Sequence, residues 1–298
     1  MAGSSKSQFA TVGLIGRQSS PHVVDSLTTV MGCLDKHGVD VVVEDATAKL
    51  LKPSKRAVLA RSGLGERCDL VVVVGGDGSL LGVGRDLAHA NVPVLGINRG
   101  GLGFLADIAP ERIELQLAEV LGGEYRVEDH FLLEAEIHRG GAKLDGSPAL
   151  NDVVVHPGSL ARMMEFSLTV NGEFVYDQRS DGLIIASPTG STAYALSAGG
   201  PIMHPALDAI VIVPMFPHTL TSRPLVVRGD AEILVTIGDV TGAQASCDSQ
   251  VQFPLERGDT VSVKKFQSPL RLLYTLGHSF YESCRSKLDW ASRLGGTE

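Results

Sequence analysis

The sequence of 298 residues has little of what is typical of membrane, secreted or nucleic-acid-binding proteins. Its longest apolar runs, such as residues 209–213, are too short to span a bilayer, and the polar stretch 1–10 lacks the apolar segment of a secretory signal. No block rich in Lys and Arg offsets the net charge of −8, which argues against general nucleic-acid binding. We therefore expect neither a membrane nor a nucleic acid as a partner.

Cysteine is scarce, and its spacing gives it no evident structural role. The four cysteines form no CxxC pair and have no His-rich segment as a partner; they are Cys33, Cys68, Cys247 and Cys284. This distribution indicates neither a zinc site nor a disulfide framework. It favours reduced thiols in a cytoplasmic protein.

Two common nucleotide-binding signatures are absent or incomplete. The chain has no Walker A lysine motif. Gly82-Val83-Gly84 and Gly101-Leu102-Gly103 each begin like a dinucleotide fingerprint, but neither has the third glycine at the required position or follows the first strand. An NAD-dependent oxidoreductase is therefore only weakly supported.

Apolar residues are plentiful, at 44% of the chain, and their pattern changes near residue 128. Residues 1–127 alternate strand and helix signals, which predicts an α/β domain with a Rossmann-like parallel sheet. The predicted strands are residues 11–15, 39–43, 70–74 and 92–97. The predicted helices are residues 21–34, residues 79–89 with Ser79 as the cap, and residues 110–121.

Residues 128–276 consist of short strand-like runs with almost nothing long enough for a helix, which predicts an all-β domain, a β-sandwich. The runs are residues 132–138, 164–170, 173–179, 183–186, 209–213, 232–237, 260–264 and 270–274. Asn171-Gly172 between two of them is a strong hairpin signal. The last segment, 277–298, is helical in pattern, and we expect it to pack back on the first domain.

One loop carries an unexpected charge. Four valines, residues 71–74, predict a strand buried on both faces, and the loop that follows is Gly75-Gly76-Asp77-Gly78-Ser79. Glycines let backbone amides approach an anion closely. An aspartate there would repel phosphate unless a metal lies between them or the carboxylate collects a proton. A structural turn with a helix-capping aspartate is the alternative.

Three further clusters have both a structural and a functional interpretation. Ser180-Asp181-Gly182 leads through a strand to a loop of small hydroxyl residues, 187–194, which suits ribose and phosphate groups or is a polar turn. Asn151-Asp152 either begins a turn or binds a base edge and ribose hydroxyls. Cys247-Asp248-Ser249-Gln250 is an exposed-looking turn that could reach a ligand, and Pro217-His218 with Arg223 is more typical of a structural corner.

Together these motifs resemble the NAD kinase family, most closely its bacterial branch, from about residue 10 to residue 290. The Gly-Gly-Asp-Gly loop also occurs in lipid kinases and phosphofructokinases, whereas the segment 188–194 is far more specific. Asp152 stands where many members carry Glu. The resemblance implies transfer of the ATP γ-phosphoryl group, with Mg²⁺ accompanying ATP, to the 2′-hydroxyl of the adenosine ribose of NAD. It also implies a homodimer or homotetramer.

The resemblance and the chemistry of phosphoryl transfer give the residues roles. Asp77 is the expected general base, because an ionised carboxylate can accept the proton of the hydroxyl. The expected phosphate loop is Gly75, Gly76, Gly78 and Ser79, with no metal ligand from the protein. The expected NAD-binding residues are Asp77, Gly78, Asn151, Asp152, Arg162, Arg179, Asp181, Thr189, Thr192, Ala193, Tyr194, Ala195, Leu196, Ser197 and Gln250. A lipid kinase is the nearest enzymatic alternative, and a non-catalytic NAD-sensing or NAD-binding module is the alternative from a different class.

Overall fold

The computed structural model describes residues 7–17, 21–99, 103–158, 163–219, 221–239, 242–288 and 290. The chain divides into two compact units, one formed by Met1–Glu128 with Arg271–Glu298 and the other by Asp129–Leu270. Within the described ranges, no helix is long and apolar enough to cross a membrane.

The strands and helices are numbered in chain order. The strands are β1 (Thr11–Gly16), β2 (Asp40–Glu44), β3 (Ala57–Leu59), β4 (Leu70–Gly75), β5 (Val94–Asn98), β6 (Tyr125–His130), β7 (Leu133–Arg139), β8 (Ala142–Ala149), β9 (Asp152–His156), β10 (Met164–Val170), β11 (Glu173–Ser180), β12 (Gly182–Ala186), β13 (Ala209–Met215), β14 (Leu225–Arg228), β15 (Ile233–Ile237), β16 (Gln244–Cys247), β17 (Val251–Pro254), β18 (Thr260–Lys265) and β19 (Leu270–Thr275). The helices are α1 (Pro21–Lys36), α2 (Asp45–Ala48), α3 (Arg61–Arg67), α4 (Asp77–Asp86), α5 (Ile113–Leu121), α6 (Tyr194–Ser197) and α7 (Phe280–Lys287), with single 3₁₀ turns at Pro110–Arg112 and Thr189–Thr192.

The first unit contains a sheet of the order β3-β2-β1-β4-β5-β19-β6. From β3 to β19 its neighbouring strands run parallel, which confirms the predicted α/β architecture. β4 is buried along its whole length, as expected of an unbroken valine run in the middle of a parallel sheet. Helix α1 packs on the sheet through Val23, Leu27, Val30 and Leu34, whose spacing of three and four residues places them on one face.

One strand lies where the sequence did not predict it. We expected residues 270–274 among the strands of the all-β half, but β19 lies between β5 and β6 and pairs in parallel with β5, Leu272 opposite Val94. A short apolar run is equally suited to a sandwich and to the centre of a parallel sheet, so its sequence does not indicate its partner.

Helix α7 follows β19 and packs within the first unit, as predicted. The ring centroids of Phe280 and Phe104 are 6.5 Å apart, and Lys287 Nζ lies 4.2 Å from the centroid of the Phe104 ring. The described helix is shorter than the predicted segment 277–298, of which residues 289 and 291–298 lie outside the described part of the chain. Ser279 caps it by accepting a hydrogen bond from the N–H of Glu282.

The second unit contains two antiparallel sheets, with the strand orders β11-β10-β15-β18-β7-β8 and β14-β13-β12-β9-β16-β17. Alternating buried residues of the first sheet, such as Leu133 and Val235, share one core with Val153 and Leu183 of the second sheet. This confirms the predicted β-sandwich. Asn171 and Gly172 have φ angles of 51° and 79° at the turn between β10 and β11, as a type I′ hairpin requires.

Candidate functional site

The predicted phosphate loop lies at the carboxyl end of β4, where ligands bind in open parallel sheets. Helix α4 begins at Asp77, with Gly76 in extended conformation as its N-cap, and not at Ser79 as we predicted. Ser79 therefore lies inside the first turn, and its Oγ is buried without a hydrogen-bond partner. The valines form a strand that ends at Gly75, and α4 begins at Asp77. Gly76 is the single residue between them, and glycines allow this sharp turn.

The carboxylate of Asp77 is fixed by backbone N–H groups from another part of the first unit. The N–H of Phe104 donates to Oδ2 at 2.6 Å and that of Leu105 donates to Oδ1 at 3.1 Å. A Cβ on Gly103 would collide with the Asp77 carboxylate, so this close approach requires glycine. The N-cap of α4 is Gly76 and Asp77 is the first residue of the helix, which does not fit the alternative of a helix-capping aspartate. No pattern in the sequence indicated the contact with residues 103–105.

In the second unit, the turn that carries Asn151 and Asp152 is held by Asp248. The Asp248 carboxylate accepts the N–H groups of Leu150 at 3.0 Å, Asn151 at 2.7 Å and Asp152 at 3.3 Å. Its own N–H donates to the carbonyl of Asp152 at 2.9 Å. Asp248 is buried, so the prediction of an exposed turn is wrong for this residue and for Cys247 and right for Ser249 and Gln250.

The Asp152 carboxyl group is buried beside that of Asp248, with only 3% of the residue exposed. Burial, followed by the negative charge of Asp248, raises the pKa of Asp152 to about 7. The group therefore keeps its proton to a higher pH than an ordinary aspartate does. In the protonated state it can donate as well as accept a hydrogen bond.

The segment of small hydroxyl residues packs directly on the Asn151 turn. The N–H of Ser187 donates to the carbonyl of Asn151 at 2.9 Å. A Cβ on Gly190 would overlap the Asn151 backbone, so the two segments require glycine here. Thr189 is buried, and its Oγ1 lies 2.8 Å from Nδ1 of the buried His130. The fold thus brings Asn151, Asp152 and Thr189 together within the second unit.

A cavity of about 440 Å³ in the second unit joins two more predicted residues. Asp181 lies on its wall, and so does Tyr194, whose side chain is exposed instead of belonging to the core. Ser249, from the turn that we expected to reach a ligand, also lies on the wall, whereas the sequence did not indicate the other polar residues there, which are His156, Ser246 and Gln252. Ser246 directly precedes the motif that begins at Cys247, so proximity to a motif was the available signal.

Other predicted residues occupy varied positions. Arg179 lies in β11 and lines a separate cavity of about 450 Å³ with Glu165 and Thr236, so the fold does not bring it to the Asp181 and Tyr194 cavity. Arg162 lies outside the described residues. The remaining predicted residues of the short helical segment are partly buried at Thr192, Ala193 and Leu196, buried at Ala195 and exposed at Ser197.

No cluster of three or more His, Cys, Asp or Glu side chains within the described ranges could hold a metal ion. The first unit provides one oriented carboxylate, that of Asp77, at the carboxyl end of β4. The second unit offers an amide, a carboxyl group and hydroxyls suited to sugar and base edges.

Comparisons with known proteins connect both units to one family. Residues 12–125 match the ATP-NAD kinase N-terminal domain, and residues 150–275 match the ATP-NAD kinase C-terminal domain. The NAD kinase of Pseudomonas syringae pv. tomato is 54% identical over 292 residues, which cover 97% of this chain and 98% of that protein. The NAD kinase of Pseudomonas fluorescens (strain SBW25) is 53% identical over 290 residues, 97% of this chain and 98% of the relative.

Solved structures agree with this relationship. The crystal structure of yeast NADH kinase complexed with NADH has a TM-score of 0.87 at 26% identity and covers 97% of this chain and 90% of that chain. An NAD kinase from Archaeoglobus fulgidus in complex with ATP has a TM-score of 0.73 at 25% identity, with coverage of 94% and 97%. With both of its domains matched and more than half of its residues shared with bacterial NAD kinases, this chain belongs to the NAD kinase family.

Proposed function

We propose that this protein transfers the γ-phosphoryl group of MgATP to the 2′-hydroxyl of the adenosine ribose of NAD, with Asp77 as the general base. The observation that carries the proposal is the Asp77 carboxylate, fixed by the N–H groups of Phe104 and Leu105 at the carboxyl end of a buried parallel strand. Membership of the NAD kinase family supports the choice of substrates.

In the proposed reaction, the 2′-hydroxyl oxygen forms a bond to the γ-phosphorus, and the bond from that phosphorus to the β,γ-bridging oxygen breaks. The hydroxyl proton passes to Asp77, and ADP leaves with Mg²⁺. Mg²⁺ enters as part of the ATP substrate and offsets the repulsion between Asp77 and the phosphates. Backbone amides of Gly75, Gly76 and Gly78 would approach the phosphates closely, because no Cβ is in the way.

We propose that NAD binds to the second unit through Asn151 and Asp152, with Asp181, Thr189, Tyr194 and the rest of the expected set around it. The shared packing of the Asn151 turn and the segment with Thr189 supports this, as does the cavity with Asp181 and Tyr194. A homodimer or homotetramer located in the cytoplasm completes the proposal. Analytical ultracentrifugation tests the assembly.

The test of the base is Asp77→Asn, which keeps size and removes the proton acceptor. We expect unchanged NAD affinity by calorimetry and a loss of turnover on the order of 10²- to 10⁴-fold, measured as NADP formed from MgATP and NAD. Asp86→Asn is the matched control, because it changes an exposed aspartate at the other end of α4. Turnover near that of the wild type in Asp77→Asn would contradict the assignment. Because the yeast relative was solved with NADH, NADH is assayed beside NAD.

A further inference from the structure

Lys287, the last residue of α7, has a buried ammonium group with unused hydrogen-bond donors. Its Nζ is shielded from solvent and has no hydrogen-bond partner. An ammonium group has three N–H donors, and burying it without partners is unfavourable. Buried polar groups in folded proteins are nearly always paired, so an exception points to a partner that binds later.

The surroundings of Lys287 connect it to Asp77. Its Nζ lies 4.2 Å from the centroid of the Phe104 ring, and the N–H of the same Phe104 donates to Oδ2 of Asp77 at 2.6 Å. Burial lowers the pKa of Lys287, and the carboxylate of Asp77 is the charge that opposes this effect most, ahead of Cys284 and Asp107. The ammonium group therefore lies within the electrostatic reach of the proposed base.

A second buried group without a partner belongs to the predicted phosphate loop itself. Ser79 is two residues from Asp77 in the first turn of α4, and its Oγ is buried without a hydrogen-bond partner. Lys287 and Ser79 thus each have a buried polar group that no neighbour satisfies. A phosphate group, with several acceptor oxygens, is the kind of ligand that satisfies such donors.

A polar cavity of about 370 Å³ lies beside Lys287 in the first unit. Its wall includes Gly103, whose missing Cβ leaves room for the Asp77 carboxylate. The charged and titratable groups on the wall are Arg112, His278 and Lys287 against Asp107 and Glu282. Nδ1 of His278 lies 2.8 Å from Oδ1 of Asp107, so that carboxylate already has a partner on the wall, where Arg112 and Lys287 are the two permanent cations.

We propose that Lys287 binds phosphate oxygens of the phosphoryl donor next to Asp77. The assignment rests on the proposed function. A lysine suits it, because its flexible four-carbon stem lets the ammonium group move toward the phosphate as a point charge. The ring of Phe104 holds that charge in place before the donor arrives.

The competing explanation is a structural lysine that only holds the Phe104 ring and balances the nearby acids. It predicts that the removal of the charge affects stability but not the affinity for phosphates. The phosphate affinity therefore decides between the two, and inorganic tripolyphosphate is the probe, because it has the donor's phosphates without the nucleoside.

The variants are Lys287→Met, which keeps the length and the contact with the ring, and Lys287→Arg, which keeps the charge. Arg285→Met is the matched control, because it removes an exposed positive charge from the same turn of α7. We expect Lys287→Met to weaken tripolyphosphate and MgATP binding at least tenfold by calorimetry. We expect binding within about threefold of the wild type in Lys287→Arg and Arg285→Met. Lys287→Gln replaces the methionine variant if that protein does not fold.

Unchanged tripolyphosphate affinity in a folded neutral variant would overturn the proposal. A loss confined to NAD binding would also overturn it, since it would assign the lysine to the dinucleotide. An assay of the wild-type protein distinguishes failure of the Lys287 proposal from failure of the proposed activity. If the wild type forms no NADP from MgATP and NAD, the proposed activity is refuted, while the tripolyphosphate affinities still test the role of Lys287.

Discussion

Asp248 accepts the backbone N–H of Asn151 at 2.7 Å although the two residues are 97 positions apart. Through this bond and those from Leu150 and Asp152, one buried carboxylate holds the whole turn from which the proposed NAD contacts project. Hydrogen bonds to a charged acceptor are stronger than neutral ones, so the turn depends heavily on this side chain.

We predict that Asp248→Ala raises the KM for NAD about tenfold or more and lowers the free energy of unfolding by about 1–3 kcal/mol, because three N–H groups lose their acceptor. The KM for MgATP is expected to change little. Steady-state kinetics and urea unfolding measure both effects. Asp239→Asn, at a largely exposed aspartate, is the control, and an unchanged KM for NAD in Asp248→Ala would contradict the role.

The raised pKa of Asp152 predicts a pH dependence of stability. In the unfolded chain this carboxyl group ionises near pH 3.9, but in the folded protein its pKa is about 7. Between these values the folded state retains the proton that the unfolded state has lost, so the contribution of Asp152 to stability falls as pH rises through this window, by up to about 4 kcal/mol.

Replacement of Asp152 by Asn removes that ionisation. The advantage of the variant over the wild type in free energy of unfolding is therefore expected to grow from pH 4 to pH 7 and to stay level above it. Urea titrations of both proteins at pH 4.5, 6 and 8 test this, and the comparison cancels the other titrating groups. Parallel pH curves for the two proteins would rule the effect out.

Gly103→Ala is predicted to displace the Asp77 carboxylate, since the added Cβ would overlap it. A misplacement of about 1 Å costs on the order of 10²-fold in rate, so we expect kcat to fall by that order while the protein still folds. Gly32→Ala is the matched control, because a Cβ at that helical position meets nothing within 4 Å. It should keep full activity, and equal kcat in both variants would argue against a tightly held Asp77.

The pair formed by Asp107 and His278 anchors the segment that leads into α7. Oδ1 of Asp107 lies 2.8 Å from Nδ1 of His278. The imidazole ring of His278 stacks on the ring of Tyr274, with 4.0 Å between the ring centroids. Burial opposes the charged carboxylate, but the hydrogen bonds from His278 and from the N–H of Thr275 outweigh it and lower the pKa of Asp107. Its stabilising contribution is therefore present above the ordinary pKa of an aspartate and is lost as pH falls below it.

Asp107→Asn is expected to reduce the free energy of unfolding at pH 7 by about 1–3 kcal/mol. It should also make α7 more susceptible to limited proteolysis. Differential scanning calorimetry and mass spectrometry of the digests measure these effects. Asp35→Asn breaks a more exposed ion pair with Arg56 and should change stability by less than about 1 kcal/mol; a similar loss in both variants would contradict the anchor.

Local patterns predicted the elements whose partners are near in sequence. The valine run before Gly75 identified a buried strand, and Asn171-Gly172 identified a hairpin, because each depends on neighbouring residues. The acceptor for the Asn151 turn and the N–H donors for Asp77 come from distant segments, so no spacing in the sequence shows them. The same limit applies to β19, whose apolar residues do not specify which sheet they complete.

The position of β19 has a consequence for the order in which the protein forms during translation. The ribosome delivers β5 and residues 125–128 of β6 before the unit Asp129–Leu270, whereas β19, which lies between these two strands, begins only at the last residue of that unit. Until then, β5 has an unpaired edge, which is prone to aggregation. The first unit can therefore complete its sheet only after the whole sandwich has been synthesised.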